Sequence, residues 1–87
     1  MPRQILSTGQ LSLTGAAQQI VPQNLSRAGV MITNTDSVNA IYVGNGDVTA
    51  GTGELVFPKY SLTIPVTNAV FGVTSGPTIL VTYMEIQ

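Results

Sequence analysis

RAGVMITNTDSVNAIYVG, Arg27 to Gly44, contains two runs dense in β-branched and long apolar residues, Ala28 to Thr33 and Ala40 to Val43. Between them stand Asn34, Thr35, Asp36, Ser37 and Asn39, whose short polar side chains bond nearby backbone and favour turns. The pattern predicts two strands joined as a hairpin. Side chains alternate along a strand, so Ala28, Val30 and Ile32 share one face while Met31 sits on the other. In the second run Ile41 and Val43 share a face opposite Tyr42. Both faces are partly apolar, which implies a sheet covered by its own core on one side and by something else on the other.

Composition points the same way. A chain of 87 residues buries only a little over ~60% of the surface its unfolded form exposes, so size alone leaves it marginal. With no Cys and no His, disulfides and the ordinary zinc ligands are excluded, and oligomerisation or docking is the remaining route to added stability. Charged residues make up 8% of the chain, about a third of the ~25% usual in globular domains, while the apolar fraction of 44% is ordinary. The surface therefore reads as one built to be partly covered. Three basic residues, Arg3, Arg27 and Lys59, are far apart in sequence and form no patch to neutralise phosphates, which argues against nucleic acid. No apolar run approaches the ~20 residues of a membrane span, and Met1 to Gln10 lacks the apolar core of a secretion signal. Synthesis in the cytoplasm is expected.

Residues 1–10 read as an extended arm with Ile5 and Leu6 as its apolar pair, and residues 11–87 as a single domain. Leu11 to Thr14 alternates and is expected to pair with Ala17 to Val21, which Pro22 ends. After Val43 the glycines at 44, 46, 51 and 53 mark a long loop. Leu55 to Phe57 and Tyr60 to Ile64 make two short strands or one bent strand, with Pro58 at an edge or corner. Ala69 to Val73 and Thr78 to Ile86 follow as strands. In the last, Ile79, Val81 and Tyr83 face one way and Leu80, Met84 and Ile86 the other, as expected of a central strand. No segment keeps helical spacing for three turns. The expected fold is all-β, a compact antiparallel β-sandwich or jelly-roll-like barrel of seven or eight short strands.

Chemistry is thin. Without His or Cys, the titrating candidates are Asp36, Asp47, Glu54 and Glu85 with Lys59 and the tyrosines, and these are scattered. Asx turns account for Asp36 and Asp47, and Glu85 stands at a chain end. Asn45, Asp47 and Glu54 offer oxygen atoms to calcium but lack EF-hand spacing, and Gly44-Asn45-Gly46 has no helix behind it to make a phosphate loop. Tyr42, Tyr60 and Tyr83 read as core or interface aromatics rather than a stacking platform, since cations are missing around them. The chain is expected to be no enzyme and to hold no metal or cofactor.

The order of phrases, LSLTGAAQQIVPQNLSRAGVMITN, NAIYVG, GELVFPKYSLTI and AVFGVTSGPTILVTYMEI, resembles small β-sandwich virion structural proteins of tailed bacteriophages, the head decoration or cement type. In those chains an Arg opens a strand ending in Asn, an Ile-Tyr-Val-Gly strand follows, and a Leu-x-x-Pro corner precedes the next strand. Arg27, Asn34, Ile41 to Gly44 and Leu55 to Pro58 take those places here, over a resemblance spanning about residues 11 to 86. Lys59 stands where such chains often carry Gly. The resemblance implies a partner in the major capsid protein, a homo-oligomer of trimeric type and a place on the outer capsid surface of the virion. The outside also fits the charge, because packaged DNA would favour Lys and Arg on an inner wall. The alternative within the same family is a tail or fibre module, structural or binding a receptor or glycan. Contacts are expected from Met31, Tyr42, Leu80, Met84 and Ile86 on strand faces, and from Ile5 and Leu6 on the arm.

Overall fold

The computed structural model of the chain describes residues 7–86 and contains eight strands and, among the described residues, no helix. They are β1 (Ser7–Leu13), β2 (Gln18–Val21), β3 (Gly29–Asn34), β4 (Ile41–Gly44), β5 (Glu54–Val56), β6 (Ser61–Ile64), β7 (Val70–Val73) and β8 (Ile79–Ile86). One antiparallel sheet has the order β1-β8-β3-β6 and the other β2-β7-β4-β5. Successive strands alternate between the sheets except at β4 to β5, and this winding is that of a jelly roll, two Greek keys folded into a sandwich.

The inner faces follow from alternation except in β2, where consecutive Ile20 and Val21 are both buried at a bulge. Leu13, Val30, Ile32, Ile79 and Val81 from the first sheet meet Ile20, Val21, Ile41, Val43, Val56 and Val70 from the second in one buried cluster. Burying each such side chain contributes about 1.5–3 kcal/mol. Gly72 makes room for this contact, because a methyl there would stand 2.7 Å from Leu13 Cδ1 and 2.8 Å from Ile20 Cδ1. β8, with apolar residues on both faces, is central as expected, between β1 and β3.

Two expected pairings are wrong. Ala28–Thr33 and Ala40–Val43 do not form a hairpin: β3 pairs with β6 and β8, whereas β4 pairs with β5 and β7 in the other sheet. Nested Asx turns make the crossover. Asn34 Oδ1 accepts from Asp36 N–H at 3.0 Å, and Asp36 Oδ2 accepts from Val38 N–H at 2.9 Å. The two apolar runs consequently face each other across the core instead of lying side by side. Likewise Leu11–Thr14 does not pair with Ala17–Val21, because β1 joins β8 and β2 joins β7. Periodicity reveals which face is buried, and is blind to which strand lies alongside. The stretch 54–64 is two strands, one in each sheet, with Pro58 at the corner between them. β1 begins at Ser7, so the last part of the expected arm belongs to the sheet; Ile5 and Leu6 lie outside the described residues.

Candidate interaction surface

The two ends of β3 carry polar side chains that hold the loops in place. Arg27, just before β3 and 3% exposed, donates from Nε to the Val66 carbonyl (3.0 Å) and from Nη1 to the Pro22 carbonyl (2.8 Å) and Glu85 Oε1 (2.9 Å). Its Nη2 donates to the Asn68 carbonyl. The planar guanidinium thus ties the β2–β3 and β6–β7 connections to β8, which no other side chain has the fork of donors to do. Asn24 Nδ2 adds a second donor to Glu85 Oε1 at 3.3 Å. Asn34, fully buried at the other end, donates from Nδ2 to the Asn39 and Val56 carbonyls (2.9 and 3.1 Å), while its own carbonyl accepts from Lys59 N–H at 3.0 Å.

Glu85 is therefore not an idle chain-end residue, and its partnership with Arg27 escaped the sequence reading. A signal was present: Glu85 continues the inward series Ile79, Val81, Tyr83, and a carboxylate at such a position needs a buried cation. The other carboxylates are apart from it. Asp36 lies in the β3–β4 turn, where bonds from the Asn39 and Val38 backbone N–H groups hold its carboxyl below the usual carboxylate range. Asp47 is exposed, its turn closed instead by the bond from Val48 N–H to the Asn45 carbonyl (3.0 Å), and Glu54 opens β5. Among the described residues no three His, Cys, Asp or Glu side chains gather as metal ligands would. The tyrosines also diverge: Tyr83 points inward across Gly9, Tyr42 outward from the second sheet, and Tyr60 packs edge-on to Phe57 in the β5–β6 turn, ring centroids 6.0 Å apart.

The outer faces of the two sheets differ. On the second, the 45–53 loop folds back over the strands: Val48 is buried against Gly44 and Gly53, and Gly46 lies over the Phe71 ring. A methyl on Gly53 would stand 2.7 Å from both Tyr42 Cβ and Val48 Cγ2, so only glycine permits this approach. The glycines foreseen as a loop are thus a cover, and Tyr42 stands beneath its edge.

On the first sheet the outer face has no such cover among the described residues. β8 presents Leu80, Thr82, Met84 and Ile86 there, β3 presents Met31 and Thr33, and β1 and β6 add Thr8, Gln10, Ser12, Ser61 and Thr63. None of these outward positions is charged. Met31 and Met84 are direct cross-strand partners, Leu80 is 44% exposed, and a shallow depression of about 270 Å³ lies between Thr8, Gln10, Met31, Thr33, Thr82 and Met84. Of the predicted contact residues, Met31, Leu80, Met84 and Ile86 are thereby brought onto one face and Tyr42 is left on the opposite side of the sandwich. Comparison with protein-family models and with curated protein sequences finds no match to the chain.

Proposed function

We propose that this chain is a non-enzymatic structural protein of a virion, a decoration protein that docks on the outer surface of a capsid and bridges its subunits. The observation that carries the reading is the uncharged outer face of the β1-β8-β3-β6 sheet, with the Met31–Met84 pair at its centre and Leu80 and Ile86 along β8. A free domain normally spreads mixed charge over such a face, and methionines suit a surface that adapts to a partner. The jelly roll is a frequent capsid architecture, which supports the reading by analogy of fold only. The resemblance in the phrases around Arg27, Asn34 and Pro58 supports it as well, although Arg27 and Asn34 act here as fold staples rather than contacts. Quantitative protein analysis of purified particles tests the proposal: decoration requires copies on the scale of the major capsid protein. A few copies per particle, or loss when tails are removed, would assign the chain to a tail or fibre instead. The exposed Phe57–Tyr60 pair favours that second reading, since exposed aromatic faces suit sugar rings; binding on a glycan array would support it.

A further inference from the structure

An open cleft of about 420 Å³ separates β6, a free edge of the first sheet, from the neighbouring strands of the second. Its lining is mostly apolar, from Val43, Leu62, Ile64, Val66 and Val70, and the exposed Glu54 stands in its wall. The consecutive residues Leu62 to Val66 all line it although their side chains point alternately inward and outward, so the cleft follows the strand's edge rather than one face.

Edges are normally guarded, and β6 is not. β2 carries a bulge between Gln19 and Val21, and β5 is only three residues long, both devices that discourage an added strand. Ser61–Ile64 contains no charge and no bulge, and proline enters only at Pro65, past the strand's end. The fourth edge, β1, is the strand into which residues 1–6 lead.

We infer that the cleft receives residues 1–6 of a second copy of this chain, MPRQIL, added along β6 as an extended segment with Ile5 in the apolar floor and Arg3 facing Glu54. In an extended segment Arg3 and Ile5 share a face, which places one cation and one aliphatic side chain against one carboxylate and an aliphatic floor. Of the other basic residues, Arg27 is paired with Glu85, and Lys59 stands exposed in the β5–β6 turn. The donor must be another copy. From Ser7, Ile5 reaches at most ~7 Å. β6 lies three strand spacings from β1 across the sheet, about 14 Å. The inference concerns how copies hold one another and does not depend on what they decorate.

Sedimentation of the full-length chain tests it with three variants: Arg3→Glu, Glu54→Arg, and the two together. Arg3 precedes β1 in sequence and Glu54 is exposed, so far-ultraviolet circular dichroism should be unchanged in all three. The wild type is expected to associate, each single reversal to raise the dissociation constant about five- to tenfold, and the double reversal to restore it. A wild type that stays monomeric at millimolar concentration overturns the inference, as do single reversals without effect or a double variant no better than either single. Leu80→Lys, on the uncovered sheet face, should leave association intact. Dissociation by Leu80→Lys together with indifference to the charge reversals would move self-association to that face and reject the cleft.

Discussion

Arg27 and Glu85 show how few polar residues organise the end of this sandwich. Arg27→Lys keeps the charge but offers one ammonium where a fork served three backbone carbonyls and a carboxylate, and a loss of about 2–4 kcal/mol is expected in urea unfolding. In a domain whose total stability is of order 5–15 kcal/mol, that is a large fraction. Arg27→Ala should approach full unfolding, because it leaves Glu85 buried with only Asn24 as partner. Asp36 gives a pH signature. Its folded pKa is depressed, so its contribution is fully present above the ordinary carboxylate value of about 3.9 and is lost as pH falls through that value toward the lower folded one. A plot of Tm against pH should therefore steepen below about pH 5, and Asp36→Asn should flatten that limb by lowering the plateau near neutrality while leaving the acid end little changed. The Asx turn at Asp36 was legible in the sequence because it is local. The Arg27–Glu85 pair, 58 positions apart, was not, because only the meeting of β3 with β8 brings the two together.

Among the elements, the corner between β5 and β6 is the most instructive. Phe57-Pro58-Lys59-Tyr60 closes with the bond from Tyr60 N–H to the Phe57 carbonyl at 3.1 Å, with Pro58 at the second position and Lys59 at the third with φ +67°. A type II turn requires that left-handed conformation, which a side chain adopts at a cost of about 1–2 kcal/mol. Lys59 occupies the position where the resembling chains often have Gly, and the strain explains why glycine suits it. Lys59→Gly should stabilise by up to about 1 kcal/mol, part of the relieved strain being offset by the freer unfolded chain. Thermal melting should register this as a rise of a few degrees, and Lys59→Val as a fall, since a β-branched residue tolerates positive φ worst. The strand itself was readable from alternating Tyr60, Leu62 and Ile64. Its placement in the sheet opposite to β5 was not.

For the whole molecule, one sheet face left open among the described residues and one loop-covered face predict a sided protein. Met84→Lys introduces a charge at the centre of the outer face without touching the buried cluster, so Tm should change little, and under the proposed decoration role binding to assembled shells should be lost in a co-sedimentation assay. Tyr42→Ala, beneath the edge of the glycine loop on the opposite sheet, should leave that binding intact. The sequence by itself determined the strand class, the positions of nearly all eight strands, which residues share a face in the alternating ones and the shortage of charge, because alternation, turn chemistry and composition are properties of neighbouring residues. Tertiary structure alone decided that the chain winds between two sheets instead of pairing consecutive runs. It also decided that the glycine loop covers one of them, and that Met31, Leu80, Met84 and Ile86 share a face without Tyr42. These depend on contacts between residues tens of positions apart. A period of two assigns each side chain to one side of its strand and carries no information on which strand lies next to it.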